Sequence, residues 1–166
     1  MDTTKYPLRV PLANLVTMSK YLVSAEKFIP VPAQEIFDIV ADPKMHPLID
    51  GSGSVLRADV TAPEKLFLGA EFGFDMKIAT RYRMVNTVVE YEEGKRIAWK
   101  PRGDYLWRYT FEPVERGTLV KEEWDARSAK RRLGMRMLGF PRRNFKGITT
   151  TLDRLHDIAV RTAKQS

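Results

Sequence analysis

From residue 54 to residue 125, short apolar runs are separated roughly every ten to fifteen positions by turn residues. The chain then closes on a stretch whose apolar residues recur at steps of three and four. No other feature of the sequence restricts the fold as much. Closely spaced antiparallel strands make a sheet with one buried face, and a single amphipathic helix after them is available to cover it. Strands are expected near 55–60, 71–77, 82–92, 96–100, 106–113 and 118–125, with tight turns at Glu93-Gly94-Lys95 and Arg116-Gly117. The helix, spanning 145–164, carries Phe145, Ile148, Leu152, Leu155 and Ala159 on one stripe. At about 30 Å it is long enough to cross a domain of this size.

The last two strands alternate most cleanly. Tyr105, Trp107, Tyr109 and Phe111 share one face, and Leu106, Arg108, Thr110 and Glu112 share the other. In the final strand Thr118, Val120, Glu122, Trp124 and Ala126 oppose Leu119, Lys121, Glu123 and Asp125. One carboxylate, Glu122, therefore stands on the otherwise less polar face.

Upstream, 21–29 reads as a strand stopped by Pro30 and Pro32, because proline has no amide hydrogen to donate to a ladder. Ile36, Phe37 and Val40 then mark a short helix ending near Asp42-Pro43. A second short helix is expected over 44–49, before the turn Asp50-Gly51-Ser52-Gly53. Residues 1–20 show no sustained period, contain Pro7 and Pro11, and are expected to form a loose arm, with Met18 as an alternative start. Residues 21–166 are expected to form one domain.

At 166 residues the chain can build one core without disulfides or a structural metal. It has no cysteine, and its only histidines are His46 and His156. Thiol nucleophiles and Cys/His zinc sites are thus excluded, and any metal chemistry would rest on carboxylates. Neither metal nor cofactor is expected. No apolar run reaches the roughly eighteen residues of a membrane span and no signal-peptide pattern opens the chain, so a cytoplasmic location is expected. The net charge of +7 is uneven: residues 94–166 hold 18 Lys and Arg against 8 Asp and Glu.

Several short motifs occur in a recognisable order. They are Phe28-Ile29-Pro30-Val31-Pro32-Ala33, Ala41-Asp42-Pro43, Val88-Val89-Glu90-Tyr91 leading to Arg96-Ile97-Ala98-Trp99, and Thr151-Leu152-Asp153-Arg154-Leu155. Together they resemble the SRPBCC superfamily, also called START-like or Bet v 1-like, over about residues 21–164. His46-Pro47 with the Asp50 turn, and the segment from Tyr82 to Asn86, are similar to members labelled polyketide cyclase or dehydrase. The resemblance implies an α+β helix-grip fold: a curved six- to seven-stranded antiparallel sheet around a long C-terminal helix, with two short helices between strands one and two. It also implies a hydrophobic cavity between sheet and helix. It supplies no universal catalytic residue, so none is carried over.

Phe72, Phe74, Met76 and Trp99 are expected to face that cavity, with Trp107, Tyr109, Phe111 and Trp124 from the last strands and Leu152 from the helix. Taken singly each of them suits a solid core better than a ligand contact; as a set, with the gap that the resemblance implies, they favour a cavity. Tyr82 and Asn86 share a strand face with Met84 and Val88 and could orient a polar ligand group. Val85, Val89 and Tyr91, however, make the opposite face apolar too. Glu122 and Tyr109 are the candidates for moving a proton, since desolvation would favour the protonated carboxyl; a partner inside the protein would account for Glu122 as well. His46 and Asp50 stand at i, i+4 with Pro47 between them and read as a loop feature at the pocket mouth, and His156 as a structural histidine. Lys130, Arg131, Arg132, Arg136, Arg142 and Arg143 interleave with Leu, Met and Phe. That mixture fits a solvated surface and also an anionic membrane or partner; no nucleic-acid motif appears. Three functions follow: a carrier of a lipid, polyketide-like or aromatic molecule, a cyclase or dehydratase acting on one, or a module docking through its basic region. Oligomeric state is not legible.

Overall fold

The computed structural model describes residues 15–59, 61–102 and 104–165. Among these residues eight strands form one antiparallel sheet. In chain order the elements are β1 (Val16–Met18), β2 (Leu22–Ile29), α1 (Ala33–Ala41), a 3-10 turn (Pro43–Met45), α2 (His46–Ile49) and β3 (Val55–Ala58). There follow β4 (Glu71–Lys77), β5 (Arg81–Glu92), β6 (Arg96–Pro101), β7 (Leu106–Val114), β8 (Gly117–Asp125), α3 (Arg132–Met137) and α4 (Phe140–Ala163). Spatially the strands run β1-β2-β8-β7-β6-β5-β4-β3, so the opening long strand pairs with the last one and the two short helices carry the chain to the far edge. This is the helix-grip arrangement.

The end of the segment expected to be a loose arm forms an exposed edge strand instead: Val16 to Met18 pair with Ala25 to Val23 of β2. Three residues are too few to show a period in sequence, and the backbone ladder with β2 decides their conformation. The rest of that arm, 1–14, lies outside the described residues.

Proline punctuation sets the first crossover. Pro32 occupies the N-cap of α1, which buries Ile36, Phe37, Val40 and Ala41. Asp42 then accepts the Lys44 amide at 2.9 Å and starts the 3-10 turn that leads into α2. The helix expected over 145–164 begins five residues earlier, at Phe140. Gly139 adopts a left-handed conformation (φ 75°) that separates α3 from α4, and Pro141 fits the first turn, where its missing amide hydrogen costs nothing.

One stripe of α4, comprising Ile148, Leu152, Leu155 and Ala159, is buried. Its main contacts are with β2, and it also packs on β8, α1, α2 and α3. The helix therefore rests on one side of the inner sheet face. The part formed by β4, β5 and β6 faces a gap between itself and α4.

A bulge in β5 settles which of its faces looks inward. Val88 pairs with Trp99 but Glu90 with Ala98, so the register shifts at Val89. Before the shift Asn86 and Val88 are buried; after it Tyr91 meets Phe37 edge-on at 5.5 Å. Tyr91 thus joins the inner face of Met84, Asn86 and Val88, while Val85 stays on the outer face and Val89, the extra residue, is exposed.

Candidate ligand-binding cavity

The gap is a cavity of about 150 Å³ that opens to solvent. Its sheet wall comprises Phe74 and Met76 of β4, Tyr82, Met84 and Asn86 of β5, Trp99 and Pro101 of β6, Trp107 and Tyr109 of β7, and Glu122 and Trp124 of β8. The opposite wall is α4, through Phe140, Arg143, Asn144, Gly147 and Thr151, with His46, Ile49, Asp50, Ser52 and Ser54 closing one end. Alternation along each strand delivers the sheet residues, because every second side chain points to the helix side.

The closing turn is held against the helix at short range. The Gly51 amide donates to Thr151 Oγ1 at 2.9 Å, and Arg154 donates to the Asp50 carbonyl. A Cβ on Gly51 would run into the Gly147 carbonyl and the Thr151 amide, so only glycine permits this approach. Asp50 accepts the Ser52 amide at 3.1 Å and the Val55 amide at 3.0 Å, which fixes the turn's shape.

His46 opens α2 and is buried within a ring cluster, its centroid 5.1 Å from those of Phe74 and Trp99. One ring nitrogen, Nε2, lies 2.7 Å from the Val40 carbonyl oxygen. A carbonyl only accepts, so Nε2 carries the hydrogen and Nδ1 is left as an acceptor. Burial lowers the imidazole to about 4, against the opposing pull of the Val40 carbonyl and the charges of Asp42 and Asp50. The ring is therefore neutral at neutral pH.

Glu122 is 4% exposed and stands directly opposite Tyr109 on the neighbouring strand. Burial pushes its carboxyl up to about 8, the Tyr109 hydroxyl acting in the other direction and the Asp50 charge adding to the rise. Burial also drives the Tyr109 phenol well above its ordinary range, with Glu122 contributing. Tyr109 stacks on Trp99 at 5.6 Å. Three buried side-chain polar atoms lack a hydrogen-bond partner among the described residues: Glu26 Oε2, Glu122 Oε2 and Trp124 Nε1. The last two belong to residues of the cavity wall.

A family model described as polyketide cyclase / dehydrase and lipid transport matches residues 21–159. The chain belongs to that family. The match and the fold place it in the SRPBCC superfamily. An uncharacterized protein of Mycobacterium tuberculosis is 35% identical over 141 residues, covering 81% of this chain; the chain spans about 62% of that relative's length. Among solved structures, a protein from Mycobacterium smegmatis matches with a TM-score of 0.66 at 17% identity, covering 89% of this chain and 98% of that one. The AHSA1-like protein from Aeromonas hydrophila matches with a TM-score of 0.64 at 18% identity, covering 87% and 95%. At such identities the likeness is one of fold.

In this polyketide cyclase / dehydrase family member, most of the aromatic set named from sequence converges on one cavity. Phe74, Met76, Tyr82, Asn86, Trp99, Trp107, Tyr109, Glu122 and Trp124 all stand in its wall. Phe72, Phe111 and Leu152 do not; they form the layer behind it. Phe72 packs edge-on against Phe74 at 5.4 Å and Trp99 at 5.6 Å, Phe111 against Phe37 at 5.5 Å, and Leu152 is buried in the α4 stripe. His46, read as a mouth feature, is instead a buried wall residue. His156 pairs with Asp157 at 3.0 Å and is not part of the wall.

Sequence reasoning missed the helix's share. Phe140, Arg143, Asn144, Gly147 and Thr151 recur at steps of three and four, a second stripe beside the apolar one. Its small and polar composition concealed it. Among the described residues no helix is long and apolar enough to cross a membrane.

Proposed function

We propose that this chain binds an apolar small molecule carrying at least one hydrogen-bonding oxygen, held between the sheet and α4. The observation that carries the reading is the unpartnered pair Glu122 Oε2 and Trp124 Nε1 in the wall of an otherwise aromatic cavity. A buried polar group left without a partner costs about 1–3 kcal/mol, which a ligand oxygen meeting these groups would offset. The cavity's volume, about 150 Å³, lies below the range usual for drug-sized ligands, about 300–1,000 Å³, so it suits a small ligand or one that extends out through the open mouth. The family's description, which names lipid transport beside cyclase and dehydrase members, supports the same class of ligand. Native mass spectrometry of the freshly purified protein, followed by solvent extraction, is the test. A stoichiometric apolar passenger is expected. A protein that arrives empty and takes up no member of a fatty-acid, sterol and aromatic polyketide panel sinks the reading.

An enzymatic reading rests on a separate observation, the neutral carboxyl of Glu122 beside the Tyr109 hydroxyl. Such a carboxyl can give its proton to a ligand carbonyl or hydroxyl oxygen and recover one from carbon, the exchange that a cyclisation or dehydration requires. Glu122→Gln should then retain ligand affinity and lose turnover; unchanged turnover would exclude this role.

The basic region supports a delivery step. Met137 is 80% exposed, Leu138 76% and Leu133 59%, and they are interspersed with Arg131, Arg132 and Arg136, just ahead of the helix that lines the cavity. Exposed apolar side chains among cations suit an anionic bilayer surface, to which Lys130 and Arg142 would add charge. Sedimentation with phosphatidylserine vesicles should exceed that with phosphatidylcholine vesicles, and equal sedimentation removes the delivery step.

A further inference from the structure

Two arginines of this protein are each about half-buried, and they are treated very differently. Arg108, on the outer sheet face, is gripped by Glu90 at 2.6 Å and Glu123 at 2.5 Å. Arg143, in the first turn of α4, lines the cavity, and among the described residues no carboxylate forms an ion pair with it. Its charge acts instead on two phenols of the wall, Tyr82 and Tyr105. The local field makes this arrangement costlier. The first turn of α4 has no acidic residue and carries both Arg142 and Arg143 at the positive end of the helix dipole.

Arg143 reaches the cavity from the first turn of α4, and Glu122 from β8 on the sheet wall. Tyr105, beside Arg143, has its ring centroid 6.1 Å from that of Trp124, whose indole nitrogen lacks a partner. The wall therefore runs from a cation through aromatic surface to the hydrogen-bonding groups of Trp124 and Glu122.

We propose that Arg143 is an anion-binding residue of the cavity, and that the ligand is an amphiphilic organic acid. Its charged group sits on the Arg143 guanidinium, and its apolar body extends past Tyr105 toward Trp124. This deepens the binding reading and rests on it. A guanidinium takes a carboxylate or sulfonate through paired N–H donors, and such charge-assisted bonds are about twice as strong as neutral ones.

A matched pair of fluorescent probes tests the proposal on the full chain: 1-anilinonaphthalene-8-sulfonate and N-phenyl-1-naphthylamine, which share an aromatic body and differ by the sulfonate. The native protein should bind the sulfonate about tenfold more tightly or better. Arg143→Gln and Arg143→Leu should erase that preference by weakening the sulfonate probe far more than the neutral one, and Arg143→Lys should keep part of it. Arg142→Leu, which removes an exposed neighbouring cation outside the wall, should leave the preference intact. Equal binding of both probes to the native protein overturns the anion site and leaves the cavity reading standing. Loss of the preference in Arg142→Leu to the same degree also overturns it, because the attraction would then be one of general surface charge. If neither probe binds, both readings fall together.

Discussion

Glu122 and Glu123 are consecutive residues of one strand, 4% and 8% exposed, and the pleat sends them to opposite faces of the sheet. Glu123 meets cations there, Arg108 at 2.5 Å and Lys121 at 3.0 Å, while Arg108 also holds Glu90 and keeps that carboxyl below its ordinary range. Glu122 meets aromatic rings, a phenol and the cavity, and has one oxygen without a partner. The outer carboxylate is completed by its own chain, and the inner one is left for something else to complete. Burial alone therefore does not separate these two carboxyls; their partner sets and their faces of the sheet do.

The largest effect should come from breaking the outer network. Arg108→Leu removes the cation shared by two carboxylates, leaving Glu123 with Lys121 and Glu90 with the longer contact to Arg96 at 3.5 Å, and should destabilise the fold by ~3 kcal/mol, toward the low end for buried pairs because these cations remain and Arg108 retains some exposure. Urea unfolding measures it, and a loss below about 1 kcal/mol would place Glu123 and Glu122 in the same class.

The inner face should reveal itself through pH. Glu122 is raised from near 4.5 to about 8, so the stability it contributes is full below about 4.5 and lost as pH rises to about 8. His46, lowered from 6.5 to about 4, acts oppositely: its contribution is full above 6.5 and lost as pH falls through about 4. The two oppose one another between 4.5 and 6.5, which leaves Glu122 visible between 6.5 and 8. Stability should fall by ~2 kcal/mol across that interval in the native protein and stay level in Glu122→Gln. Parallel curves for the two proteins would mean that the carboxyl is already ionised in the fold.

The smallest effect belongs to Lys121, the half-exposed second cation on Glu123. Lys121→Ala should cost less than ~1 kcal/mol, because a solvated ammonium contributes little once Arg108 is in place. A larger loss by thermal melting would shift the weight of the outer network from Arg108 to Lys121.

Much of this could be read from the sequence, and the gaps have physical causes. Strict alternation in β7 and β8 identified the inner residues Trp107, Tyr109, Glu122 and Trp124 without coordinates, since period two assigns faces unambiguously. β5 resisted the same reading, because a bulge at Val89 exchanges its faces midway and sequence carries no mark of the inserted residue. Trp99 is hard to place from sequence for a related reason: its strand is short, and only its pairing with Val88 and Trp107 fixes its orientation. Arg143 was hidden among other cations, and the early start of α4 at Phe140 is what turns it toward the cavity.

The sequence by itself determined the elements, their order, and a sheet whose inner face is aromatic with one carboxylate, because these follow from local period and punctuation. Tertiary structure decided the rest. Whether an aromatic side chain forms wall or core depends on where a distant helix comes to rest, and α4 rests chiefly on β2, leaving β4 to β6 facing a gap. Whether a buried charge is paired depends on which side chains the pleat and the neighbouring strand place beside it, and so Glu123, facing Arg108 across the β7–β8 hairpin, has partners while Glu122 lacks one for Oε2.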